Sequence, residues 1–238
     1  MTFNHRFWAS YFHSEFEPQL RATVEVLEKR LLPAFAGIEQ EAEKASEEAW
    51  DAFMSMPGTG DEDPGDFAEA AEQAGVSRYM LLDSIRQGMV NLFAAALYHA
   101  FEQQVMLFLR REVLDPTEEN DARFFRMEEF QKRLKAVGVS VAALSSWPTI
   151  EELERVANTV KHGEGRSARE LHKLRPDMFE HPKVDLGPAF RNATPRVFQP
   201  LAGEDLYVSL QDVQQYRDGL VRFWTELSEE MERASSAA

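Results

Sequence analysis

The chain has 238 residues and 44% hydrophobic content, enough for one large domain or a domain with extensions, with a proper core. It has no cysteine, which excludes disulfides, thiolate metal sites and a cysteine nucleophile. A formal net charge of −15 argues against a uniformly nucleic-acid-binding surface, so the distribution of charge matters more than its sum.

The opening MTFNHRFWASYFHSEFE lacks a basic region followed by a long apolar run, so no signal peptide is expected. Helical periodicity runs through residues 16–54, where Pro33 is placed to kink or break it. Residues 57–65, PGTGDEDPG, read as an acidic, turn-rich loop. A second helical run, 66–113, is expected to divide at Gly75-Val76-Ser77, with Ser77 as the new cap. Its second part carries Met89, Leu92, Phe93, Val105 and Phe108 as a core helix, and Asp115-Pro116 ends it. The most apolar piece, residues 92–97, is too short to span a bilayer, so a soluble cytoplasmic protein with no membrane partner is expected.

Residues 126–136 form a further helix, and Phe124, Phe125 and Phe130 read as core. Thr149 with Glu152 three residues later has the capping-box pattern, which starts a helix at Ile150; Gly163 stops it. Ser167 and Glu170 repeat the box for a short helix ending before Pro176. Residues 177–200 hold four prolines and read as an extended, surface-wrapping loop. Residues 206–209, LYVS, suggest a short strand, and 210–233 a C-terminal helix. The fold class is therefore all-α: a helical bundle with long N-terminal helices and a Pro-rich loop before a C-terminal helix. The expected division is a helical extension with the acidic loop at 1–75 and a helical domain at 76–238.

Residues 155–165, RVANTVKHGEG, carry the most chemistry. At 100° per residue Arg155, Asn158 and His162 share roughly a 60° arc, with Leu153, Val156 and Val160 on the opposite side. A cation, an amide and an imidazole in a row suit phosphodiester binding and cleavage, and equally suit the solvated face of an amphipathic helix. Charge is segregated around them. Between Glu39 and Glu72 twelve acids face the single base Lys44, whereas Lys161, Arg166, Arg169, Lys173 and Arg175 face only Glu164 and Glu170. A local charge of +3 thus adjoins His162.

Arg155, six residues and then His162 fit the arginine–four-to-six–histidine signature of the HEPN superfamily, and Asn158-Thr159-Val160-Lys161-His162-Gly163 resembles the NxxKHG run of its bacterial defence and stress members. The wider resemblance covers roughly residues 80–175. It implies a HEPN-like bundle, a metal-independent endoribonuclease in a defence or toxin–antitoxin setting, and a homodimer that brings two Arg/His sets to one cleft. RNA is then the substrate, and a protein antitoxin or regulator a partner. Two departures bear on this. The residue after the motif arginine, usually polar, is Val156, and Glu164 stands where some toxin members carry a modifiable tyrosine.

In this reading His162 is the acid or base, since an imidazole exchanges protons near neutral pH. Arg155 holds the scissile phosphate, and Asn158 orients the 2′-hydroxyl or His162. Lys161, Arg166 and Arg169 contact the substrate backbone. Glu102, in an otherwise apolar helix, needs a partner, either Arg155 or His162 from the motif helix or a salt bridge elsewhere. No metal or cofactor is expected: His99 and Glu102 would be half of a carboxylate–histidine site whose other half is absent, and Gly58-Thr-Gly60 lacks the lysine of a phosphate loop. The competing reading is a non-catalytic helical module that dimerises and binds a protein partner or a nucleotide, with the acidic stretch 39–72 as its interaction surface.

Overall fold

A computed structural model describes residues 4–56, 63–183 and 196–237. The fold is all-α, 80% helical, with no strand among the described residues. The N-terminal segment forms α1 (His5–Tyr11) and α2 (Glu17–Val26), continuous through a π-turn at Phe12–Phe16. Here the Phe16 carbonyl accepts from Gln104 Nε2 at 3.1 Å. Pro33 lies in a 3₁₀ turn, Leu32–Phe35, that ends this segment as the sequence predicts. After it α3 (Ile38–Met54) pairs with α4 (Pro64–Phe108), and α5 (Met127–Ala136) follows. Then come α6 (Trp147–His162), α7 (Arg166–Leu174) and α8 (Leu210–Ala237).

The long α4 is the centre of the molecule. Its second half meets α1–α2, α6 and α8 around an aromatic cluster of Trp8, Phe12, Phe101, Phe108, Phe223 and Trp224. The one buried indole N–H at its heart, on Trp224, donates to Gln104 Oε1 at 3.0 Å, so the cluster carries no orphaned donor. The core therefore draws on both sides of residue 75, through Leu20, Val24 and Leu27 as well as Leu97 and Leu153. By length and composition Pro64–Val113 could cross a membrane, but 50% of its most apolar window is buried inside the molecule. In this fold it is a core helix.

Four local expectations change. No break occurs at Gly75: α4 runs straight through because the missing side chain lets α3 approach, and a Cβ there would lie 2.9 Å from the Ala42 carbonyl oxygen. The α6 helix begins at Trp147, one turn before the Thr149–Glu152 pair, and no capping box forms. Thr149 packs against Gly219 of α8, and the Ser146 N–H is taken by Glu226 Oε2 at 3.1 Å, so the helix is capped from another element. Likewise α7 starts at Arg166 with Gly165 before it, and Glu170 points to other partners. Residues 206–209 are not a strand. No neighbouring strand is present among the described residues; side chains of α4 serve Leu206 and Val208, the Tyr207 N–H donates to the Met178 carbonyl at 2.7 Å and the Ser209 N–H to Asp212 Oδ2 at 2.9 Å.

That service is specific. Asn91, fully buried, donates from Nδ2 to the carbonyls of Pro200 (2.7 Å) and Leu206 (2.8 Å) and accepts from the Val208 N–H (3.2 Å). Gln87 Nε2 donates to the Val208 carbonyl at 2.9 Å. Residues 196–208 are thereby strapped across α4, so closely that a Cβ on Gly88 would sit 2.1 Å from the Leu201 carbonyl oxygen. Of the proline-rich loop and the acidic loop, residues 184–195 and 57–62 lie outside the described residues.

Replacing Asn91 with Leu takes the side-chain partner from the Leu206 carbonyl and the Val208 N–H, at about 1–3 kcal/mol per group, and leaves the Pro200 carbonyl with only the Gly203 N–H at 3.4 Å. Urea unfolding of Asn91→Leu should show a loss of about 3 kcal/mol or more; a loss under about 1 kcal/mol would mean the strap does not depend on this residue.

Candidate functional site at the α6–α7 corner

The candidate site sits where α6 ends and α7 begins. One face of α6 is buried through Ile150, Leu153, Val156, Ala157 and Val160, which commits Arg155, Asn158 and His162 to the outward side. Gly163 makes the corner. Its φ of 65° and ψ of −128° are not adopted by residues with a side chain without strain. A Cβ would also stand 2.7 Å from the Val197 carbonyl oxygen, so the strap fixes the end of α6 as well as the side of α4.

The three motif residues differ in how free they are. Arg155 is partly buried; its Nη1 donates back to the Glu151 carbonyl at 2.6 Å, and its Nε lies 3.4 Å from Glu170 Oε2 of α7. That Nε–H is shielded from solvent and makes no hydrogen bond. Glu170 also accepts from Arg166 Nε at 2.7 Å, and the Arg166 hydrogen bond, joined by both guanidinium charges, outweighs the opposing effect of burial and holds its carboxyl below the usual range. His162 is exposed and Asn158 half-exposed, and neither side chain has a hydrogen-bond partner among the described residues. The motif is thus one braced arginine beside two open groups.

The basic island divides in the same way. Arg175 is fully engaged: it donates to Glu152 (2.8 Å), Asp177 (2.7 Å) and Asp212 (2.8 Å), and Tyr216 donates to the same Glu152 oxygen at 2.7 Å. This knot ties α6, α7 and α8 together. Lys161, Arg169 and Lys173 are exposed and have no carboxylate partner among the described residues. On α7, Arg166, Arg169 and Lys173 fall within roughly a 60° arc, opposite the buried Ala168 and Leu171. The corner therefore presents His162 beside a short basic stripe.

Glu102 pairs with neither Arg155 nor His162. Its Oε2 lies 2.7 Å from His99 Nδ1 on the same helix. Sequence reasoning passed over Glu154, which faces Tyr98 and Glu102 of α4. Burial, with the neighbouring charges of Glu102, Glu151 and Glu128, raises its carboxyl above the usual range against the pull of Arg155. The Tyr98 hydroxyl beside it is pushed up by burial and by Glu154. The run Glu151-Glu152-Leu153-Glu154 was the available signal. Its consequence is an acidic shoulder on the α4 side of the motif, so a polyanion is repelled there and reaches His162 from the α7 side.

A second concavity, about 590 Å³, lies at the other end of the Arg175 knot, lined by Gln87, His181, Tyr207, Gln211, Asp212 and Gln215 among others. Its one arginine, Arg175, is neutralised by Glu152, Asp177 and Asp212. In comparisons with known proteins, no family model matches this chain, and neither a curated protein nor a solved structure does.

Gly163→Ala should destabilise the protein by about 1–3 kcal/mol through backbone strain and the clash with Val197. Thermal melting checks this, with Gly165→Ala as the open-space comparison, since nothing lies within 4 Å of a Cβ at Gly165. Equal melting temperatures for the two variants would contradict the strap-and-corner description.

Proposed function

We propose that the α6–α7 corner is an RNA-directed site and that the protein is a metal-independent endoribonuclease of HEPN-like type, acting as a homodimer. The observation that carries this reading is the open His162 imidazole, aligned with Asn158 and Arg155 and flanked by the cations Lys161, Arg169 and Lys173, which have no carboxylate partner among the described residues. Cleavage proceeds by attack of the ribose 2′-oxygen on the adjacent phosphorus. A base removes the 2′-hydroxyl proton, the P–O5′ bond breaks, and an acid returns a proton to the leaving 5′-oxygen, leaving a 2′,3′-cyclic phosphate. One His162 fills one of these roles, and the His162 of a second copy fills the other.

Arg155 suits charge stabilisation of the phosphorane because its guanidinium is braced by Glu170 and the Glu151 carbonyl. In this reading Asn158 orients the 2′-hydroxyl, and Lys161, Arg166 and Arg169 hold flanking phosphates. Glu102, within the acidic shoulder, acts at most on the far side of the motif through Glu154.

One observation favours the second reading, a non-catalytic helical dimerisation and binding module. Arg155 already has an anionic partner in Glu170 and must exchange it to hold a phosphate. A defence or toxin–antitoxin role, with an antitoxin or other regulator, follows from the resemblance alone.

Purified protein incubated with total RNA in chelator should cleave it, and His162→Ala should reduce the rate by at least 10²-fold while melting at the parent temperature. Cleavage by the variant at the parent rate would remove His162 from the site. Binding without cleavage by both proteins would favour the module.

A further inference from the structure

The α3–α4 pair projects from the bundle as an arm. No residue of α3 belongs to the main core cluster, and α4 joins that cluster only from Val90 onward. The seam between the two helices is narrow, built from Ala42, Ala45, Ala49, Ala71 and Gly75. Only Ile38 of α3 and Ala71 and Gly75 of the first α4 turns are buried. Two helices so paired expose a groove on each side that a third helix can close.

One of these grooves is distinctive. At 100° per residue Glu39, Glu43, Glu47, Trp50 and Met54 fall on one flank of α3, and Glu69, Glu72, Val76, Tyr79 and Met80 on one flank of α4. The antiparallel register, set by the Phe53–Phe67 ring stack at 5.6 Å and the Arg78–Glu41 ion pair, brings both flanks to the same side. Large apolar groups are open there: Met80 is 64% exposed, Met54 60% and Val76 44%. Over residues 38–54 and 63–83 acids outnumber bases eleven to two.

We propose that this groove docks a basic, amphipathic helix of a partner protein, its apolar stripe on Trp50, Val76 and Met80 and its cations on the flanking glutamates. The charge excludes nucleic acid and anionic membrane as occupants. A cation of the chain itself already uses the face: Lys183 Nζ donates to the Tyr79 hydroxyl, lies 4.8 Å from the ring centroid and 3.2 Å from Asp83 Oδ1. A second copy fits less well. Its basic helix α7 has nine residues, and with Ala168 and Leu171 buried it offers a single exposed leucine, Leu174, rather than a stripe to meet the exposed methionines. The α3 flank, 17 residues long, is about 25 Å, which matches a partner helix of four to five turns. This surface is independent of the His162 chemistry.

The probe is a labelled 21-residue helical peptide with leucines at three- and four-residue spacing and lysines elsewhere. Its control has the same composition scrambled to remove the stripe. With the full chain at about 0.15 M salt, the amphipathic peptide should bind at least tenfold tighter than the control by fluorescence anisotropy. The surface pair Val76→Glu/Met80→Glu, and separately Glu43→Lys/Glu47→Lys, should each weaken binding at least tenfold with melting unchanged. Hydrogen-exchange protection should fall on residues 38–54 and 64–83. Equal binding of both peptides, indifference to either pair of substitutions, or protection elsewhere overturns the proposal. So does a concentration-dependent dimer in sedimentation that Val76→Glu/Met80→Glu dissolves, which would give the groove to a second copy.

Discussion

The close passage of residues 196–208 over α4 and α6 is the constraint on which the rest of the structure depends. Backbone lies against backbone at both crossings, where Leu201 meets Gly88 and Val197 meets Gly163, and a methyl group fits at neither. The polar groups of the strap have no sheet or helix to join. Asn91 and Gln87, which α4 supplies from inside an otherwise apolar run, serve Pro200, Leu206 and Val208, while Asp205 takes the Phe198 and Gln199 N–H groups and the Met178 carbonyl that of Tyr207. The strap in turn fixes the end of α6 and the angle at which α7 departs. The open histidine and the basic stripe of α7 thus meet at one corner because of contacts made several turns away on α4.

Electrostatics divides the molecule as sharply as packing does. The net charge of −15 is concentrated on the arm, while the corner carries its few unneutralised cations at Lys161, Arg169 and Lys173. Paired cations do structural work instead. Arg175 joins three helices, Arg133 bridges Glu118 and Glu129, and Arg155 is held by Glu170. The acidic shoulder of Glu102 and Glu154 stands where α6 meets Tyr98 of α4. An anionic ligand is therefore guided to one approach, from α7, and a cationic ligand to the arm.

Much of this was legible in the sequence where the signal is local. Helical periodicity, Pro33 and Gly163 mark real boundaries, and the 100° rule places Arg155, Asn158 and His162 on the outward face. The misreadings share one physical cause: a distant partner replaced the local one. Gly75 looked like a break but admits α3. Thr149 and Glu152 looked like a cap but belong to α8 and Arg175, while Glu226 caps the helix from more than 70 residues away. Residues 206–209 have strand-like composition, yet their backbone is matched by side chains and the Met178 carbonyl rather than by another strand. Bracing of Arg155 by Glu170, and the Glu154 shoulder, needed the α6–α7 and α4–α6 crossings, which no spacing within one helix reveals.

The central claim is that the corner performs phosphodiester transesterification without a metal, and the chemistry of the cut ends tests it most directly. RNA cleaved by the purified protein in chelator should carry 2′,3′-cyclic phosphate on one fragment and a 5′-hydroxyl on the other. Fragments ending in 3′-hydroxyl and 5′-phosphate would mean that water, not the ribose 2′-oxygen, attacks, and would contradict the account.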